Sequence, residues 1–188
     1  MEDSRIIALL FERSEQALSA LGRKYGPAVM ALAGNILGNR LDAEECADDT
    51  WLGVWNTVPP QYPEHLKAYT LAITRNLALS RYHANTAQKR NSFYDAALDE
   101  LEACIPALGS VESDLEAKEL ARCINTYLGT LCYDDRYMFL RRYYYADPVA
   151  SIAASMGWTP HRVSVRLFRI REKLQKYLEK EGFCLSAT

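Results

Sequence analysis

A chain of 188 residues has room for one ordinary domain or two small helical ones, and 49% hydrophobic with 24% charged residues is the balance of a soluble globular protein. No uncharged apolar run is long enough to span a membrane, and the N-terminus opens acidic at Glu2 and Asp3, so a cytoplasmic protein without a signal peptide or membrane insertion is expected. A net charge of -2 argues against a general nucleic-acid binder, but the charges are segregated along the chain.

Apolar residues recur at helical spacing throughout, and no segment alternates with the period of a strand. The pattern predicts a helix over roughly Ser4 to Leu21 and another from Pro27 to Leu37, closed by Gly38 and Asn39. Asp42, with Glu45 as its capping-box partner, opens a helix ending near Thr57. From Leu41 to Pro60 there are five acids (Asp42, Glu44, Glu45, Asp48, Asp49) and no Lys or Arg. The prolines at 59, 60 and 63 force a break, and a long helix follows from about Glu64 to Gln88-Lys89-Arg90, now rich in bases.

Residues 91 to 113 turn acidic and weakly periodic, with Pro106, Gly109 and several serines. This is the candidate linker, although Asp95 to Ala103 could form a short helix. Periodicity resumes from Asp114 to Leu131, and Asp134 caps a helix through Tyr143-Tyr144-Tyr145. The expected fold is all-α: two small helical domains, residues 1–93 and 114–183, joined by an acidic linker, 94–113.

The stretch from Asp147 to Leu178 is the most informative. Val149, Ile152, Ala153 and Met156 form a short amphipathic helix ended by Gly157, which suits the left-handed conformation of a helix terminus. Thr159 caps the next helix and Pro160 takes its first position, where a missing N–H costs nothing. Short helix, glycine turn and capped longer helix make a helix-turn-helix. The final helix carries an apolar stripe at Val163, Leu167, Ile170 and Leu174, beside a basic one at Arg162, Arg166, Arg169, Lys173 and Lys176. Such a helix fits the major groove, its N-terminal residues at base edges and its cations at phosphates; a merely solvated basic face is the alternative.

These residues resemble the sigma-70 family, specifically its compact extracytoplasmic-function group. The run from Ser151 to Leu174 is similar to the family's C-terminal helix-turn-helix pattern, and Leu131 to Tyr143 to the segment before it, with Cys132 in place of a proline. His161-Arg162 stand where Gly-Thr is usual, and Ser164-Val165 where a basic residue and serine are usual. Asp42-Ala43-Glu44-Glu45 resembles the family's acidic motif, with Trp51 and Trp55 at its aromatic positions, and Leu66 to Arg81 resembles its promoter-melting helix.

The resemblance implies a sigma factor that directs RNA polymerase core to specific promoters, recognising a −35 duplex element and melting a −10 element. Asp42, Glu44, Glu45, Asp48 and Asp49 would meet the clamp helices of the largest core subunit, and the second domain its flap. Gln61, Tyr62, Lys67, Tyr69, Arg75, Asn76 and Arg81 would hold the −10 strand, by stacking, amide recognition and phosphate pairing. Leu66, Ile73 and Leu77 would form that helix's buried side. Tyr69 could equally fill a core, whereas Asn76 has poor helix propensity for a mid-helix residue. Thr159, His161, Arg162, Ser164, Val165, Arg166, Phe168, Arg169 and Lys173 would meet the −35 duplex. An anti-sigma factor is a further implied partner.

A helix-turn-helix regulator that binds duplex DNA without joining polymerase is the alternative. No glycine-rich phosphate loop, metal-ligand cluster or nucleophile–base pair suggests an enzyme, so no catalytic residue, metal or cofactor is expected. The five cysteines lack metal-ligand spacing and read as buried thiols.

Overall fold

The computed structural model describes residues 1–85, 92–102 and 114–183, and the regular structure within them is helical. The fold is all-α, as expected, and divides into two compact units, Met1–Ser92 and Phe93–Thr188.

The first unit contains α1 (Asp3–Phe11), α2 (Gln16–Leu37), α3 (Arg40–Thr57) and α4 (Leu66–Asn85). Ile6, Leu10, Leu21, Val29, Ile36 and Leu66 are fully buried and form its centre, where α2 packs on α3 and α4. The first break falls at residues 12–15, not before Pro27. Arg13 takes a left-handed conformation (φ 55), and the Ser14 N–H donates to the Leu9 carbonyl while the Arg13 N–H donates to that of Leu10. This is a Schellman closure built without glycine. Pro27 then lies inside α2, its missing hydrogen bond offset by burial of Tyr25, Val29, Leu32 and Ala33 around it.

The cap of α3 also differs from expectation. Gly38 is left-handed (φ 65) and ends α2, so extended Asn39 caps α3 at once, accepting from the Leu41 N–H at 3.0 Å. Asp42 thus sits in the first turn instead of at the cap. The buried side of α4 is Leu66, Thr70, Leu71, Thr74 and Ala78; Ile73 and Leu77 are only partly buried. Threonines are tolerated there because each hydroxyl donates to a carbonyl one turn back: Thr70 to Leu66 (2.8 Å), Thr74 to Thr70 (2.9 Å) and, on α3, Thr50 to Cys46 (2.7 Å). Thr50 and Thr74 meet across the helix pair at 3.3 Å. Gly53 permits this close approach, since a Cβ there would lie 2.9 Å from Ile73 Cγ2. The basic cluster Gln88–Arg90 lies outside the described residues.

The second unit contains α5 (Phe93–Glu102), α6 (Asp114–Thr130), α7 (Tyr133–Phe139) running into a π-helical turn (Leu140–Tyr144), α8 (Val149–Met156) and α9 (Pro160–Lys180). Met138, Ile152, Val163, Leu167, Ile170, Leu174 and Leu178 fill its core. The expected linker is corrected in its first half: residues 94–102 lie in α5, which inserts Ala97 into this core with Leu101 beside it. Residues 103–113 lie outside the described residues. The fixing group is Glu100. Its Oε1 accepts from Arg142 at 2.7 Å, and its Oε2 from the Tyr143 hydroxyl at 2.9 Å and Arg171 at 3.0 Å. Cys132, not Asp134, is the N-cap residue of α7, and it makes no side-chain cap bond.

Candidate nucleic-acid interface

In the second unit, Gly157 closes α8 in the left-handed conformation (φ 66), and the Trp158 N–H donates back to the Ala153 carbonyl at 2.9 Å. Extended Thr159 caps α9, its hydroxyl oxygen accepting from the Arg162 N–H at 3.3 Å, with Pro160 at the first helical position. The apolar stripe Val163, Leu167, Ile170 and Leu174 is buried and continues to Leu178. That burial orients the other face outward. His161, Arg162, Ser164, Phe168, Arg169 and Lys173 are exposed with Thr159 at their head, and Val165 is half-buried. Phe168 keeps 49% of its surface in solvent, unusual for so apolar a side chain on a basic helix.

The basic stripe is not uniform. Arg166 is bound bidentately by Asp135 of α7, at 2.6 and 2.8 Å, a hydrogen-bonded pair that keeps the guanidinium firmly charged. Arg162 lies with its guanidinium carbon 3.7 Å from the centre of the Trp158 ring. An open groove joins Trp158, His161, Arg162, Arg166 and Arg169 of the helix-turn-helix to Asp134 at the start of α7.

In the first unit, α3 presents Glu44, Glu45 and Asp48 to solvent, while Asp42 and Asp49 are half-buried. Arg40 pairs with Glu44 at 2.9 Å. Arg81, expected at DNA, instead holds two of the expected polymerase contacts, pairing with Glu45 at 2.7 Å and with Asp49. Its hydrogen bonds to these carboxylates, that to Asp49 first, raise its pKa further. Sequence reasoning passed over Leu41 and Leu52, which are 69% and 56% exposed on this acidic helix. Their spacing of 11 puts them within about 20° on the helical wheel, a visible signal of an outward apolar face.

Along α4, Tyr69 and Asn76 are seven residues apart and share one face, Asn76 exposed and Tyr69 half-buried. Arg81 is about 140° round the helix from Asn76, on the side that meets α3. Lys67 is exposed and Arg75 half-buried. Gln61 and Tyr62 are exposed between α3 and α4, and the Tyr62 ring lies 5.8 Å from that of Phe11, itself 44% exposed. Phe11 carried no motif and could not be placed from sequence. Arg13, beside it, donates to the Trp55 carbonyl and lies over the Trp55 ring at 5.4 Å.

Cys46 and Cys123 are buried, and burial pushes the Cys46 thiol up. Cys132 is exposed, against expectation, because it is the N-cap of α7 in the turn after α6; Cys104 and Cys184 lie outside the described residues. Among the described residues no group of three or more His, Cys, Asp or Glu could hold a metal ion, and no helix is long and apolar enough to cross a membrane.

Fold and site together define an all-helical protein with a helix-turn-helix and a separate acidic-faced bundle. Residues 21–88, from within α2 through α4, match the family model Sigma-70 region 2. That stretch carries a sigma-70 region 2 domain. Among solved structures it is similar to CnrH in complex with the cytosolic domain of CnrY, at 19% identity and a TM-score of 0.44, covering 96% of this chain and 99% of that one. No curated protein sequence matches it.

Proposed function

We propose that this chain is a sigma factor of the extracytoplasmic-function group, a cytoplasmic, non-catalytic subunit that brings RNA polymerase core to specific promoters. The observation that carries the reading is the Sigma-70 region 2 match over residues 21–88. On this reading residues 1–93 form the region 2 domain and 114–183 the region 4 domain, with α5 extending the latter.

The clamp helices of the largest core subunit meet α3 through Glu44, Asp48, Asp42 and the flanking Leu41 and Leu52. Exposed leucines rimmed by carboxylates suit a protein partner better than a solvated face, because the apolar surface gains by being covered. The −10 strand lies along the outer face of α4 and its preceding loop, with Asn76, Tyr69 and Tyr62 at bases and Lys67 and Arg75 at phosphates. The −35 duplex receives the N-terminal half of α9, and the second domain also meets the flap. An anti-sigma factor would cover these same acidic and basic faces. Nucleotide polymerisation belongs to the core enzyme.

In vitro transcription with core polymerase on a genomic fragment library tests the reading. Start sites that appear only when the protein is added, preceded by shared −35 and −10 sequences, are the expected result. Tight, specific duplex binding by the protein alone, unaffected by core, would make it a helix-turn-helix regulator instead.

A further inference from the structure

We infer that Trp158 and Arg162 form a preassembled reader of one guanine in the −35 duplex, an assignment that rests on the sigma reading of α9. The backbone of Arg162 is fixed where the helix begins, since the Thr159 cap accepts its N–H at 3.3 Å. Its side chain is fixed as well, because the guanidinium lies over the Trp158 ring at 3.7 Å. Trp158 is itself anchored, half-buried and packed against the core of the second unit. Stacking occupies a face of the planar guanidinium and leaves its N–H edges directed outward.

Those edges match one base edge best. Guanine offers two acceptors, O6 and N7, in the major groove, whereas the exocyclic amino groups of adenine and cytosine would oppose a donor. A lysine cannot replace the arginine here, having neither the plane to stack nor the fork to bond twice. The first turn of a recognition helix is the part that reaches base edges. One turn further on, Arg166 is engaged by Asp135 at 2.6 and 2.8 Å and serves the fold. Arg169 and Lys173 lie farther from the helix start, where flanking cations meet phosphates.

Trp158 is thus a positioning residue and Arg162 the specificity-determining one. Arginine at 162 has a stacking platform because residue 158 is aromatic and sits 3.7 Å from its guanidinium carbon.

The test uses the full chain with core polymerase and a randomised duplex pool, sequencing the bound fraction at several salt concentrations. The wild type should enrich a guanine at one position. R162K and R162A should reduce that preference by roughly 5- to 150-fold while preferences at other positions stay. W158V should reduce it too, without altering the slope of affinity against salt, and W158F should retain it. R162K touches nothing in the core, so it keeps the test decisive if W158V fails to fold. Guanine preference retained in R162K, or an equal loss at all positions in R162A, overturns the inference. Full preference in W158V overturns the positioning role. A wild-type pool no more enriched than with core alone overturns both the inference and the sigma reading, which separates the two failures.

Discussion

Replacing Glu100 with alanine should cost the second unit about 3 kcal/mol, because the acidic segment after the first domain is held by this carboxylate. Arg142 and Arg171 donate to it at 2.7 and 3.0 Å and Tyr143 at 2.9 Å. The two arginine side chains are 5% and 11% exposed, so removing their counter-charge strands them out of water. Breaking a buried pair by deleting one partner costs about 3–5 kcal/mol. Glu100 is 30% exposed, and the Asp147 carbonyl still accepts from Arg142 at 3.1 Å, so the lower end applies. At about 4–8 °C per kcal/mol for a unit of this size, the second unit should melt roughly 12–24 °C lower. Amide hydrogen exchange on the full chain resolves the units. Core amides of α9 around Val163 and Leu167 should lose protection by about 150-fold, as 3 kcal/mol requires, while those of α2 to α4 stay as they were. E100Q, which retains an acceptor oxygen without the charge, should fall between. A loss of protection in α9 below about fivefold, or an equal loss in both units, would refute the assignment of α5 to the second unit through Glu100.

Three further outcomes are expected. G53A should destabilise the first unit by about 1–3 kcal/mol through overpacking, since the new Cβ meets Ile73 Cγ2 at 2.9 Å; chemical denaturation of G53A/I73A should show less loss than the two single changes summed. R166M should cost about 3 kcal/mol and D135N about 1 kcal/mol by the same measurement, because the Asp135 side chain is 12% exposed and Arg166 43%, so only the carboxylate is stranded when its partner goes. Burial first, and the charge of Asp135 second, push the Tyr127 phenol from 10.0 up to about 12, and burial and Glu100 raise that of Tyr143 as well. The folded state therefore keeps its phenol protons where the unfolded chain loses them. The stability this confers is whole below pH 10 and is lost as pH rises towards 12, so the melting temperature of the second unit should fall across that window, and Y127F should flatten the fall.

What the sequence revealed follows one physical division. Features set within one element were legible: the buried stripe of α9, the Thr159 cap, the left-handed Gly157 and the all-helical fold each depend on residues a few positions apart. The misplacements involve a residue type whose usual meaning was reversed by context. Arginine at 13 takes the left-handed position that glycine normally fills, so the helical pattern from Ser4 to Leu21 runs straight through the real break. Threonines at 50, 70 and 74 carry no apolar signal, yet their hydroxyls are satisfied one turn back and the helix pair closes over them. Leu41 and Leu52 lie 11 residues apart on one face of α3, and only that spacing, set against the acids around them, marks them as outward. Glu100 read as one more acid in an acidic linker, since its partners at 142, 143 and 171 lie 42 to 71 positions away.

The same division sorts the cations expected at DNA. Arg81 and Arg166 both have carboxylate partners, more than 30 residues away and invisible to any pattern, but the two pairs differ in consequence. Around Arg81 the carboxylates are 68% and 45% exposed and rehydrate readily, so each pair is worth about 1 kcal/mol or less. A phosphate could draw Arg81 away at little cost. Around Arg166 the carboxylate is buried, and withdrawing the guanidinium would strand a charge at a cost comparable to a good base contact. Pairing therefore leaves Arg81 able to exchange its carboxylate partners while committing Arg166 to the fold. The sequence alone would rank them the other way, since Arg166 sits on the recognition helix and Arg81 at the far end of α4. The burial of the partner carboxylate, and not the position of the arginine, decides which one can leave.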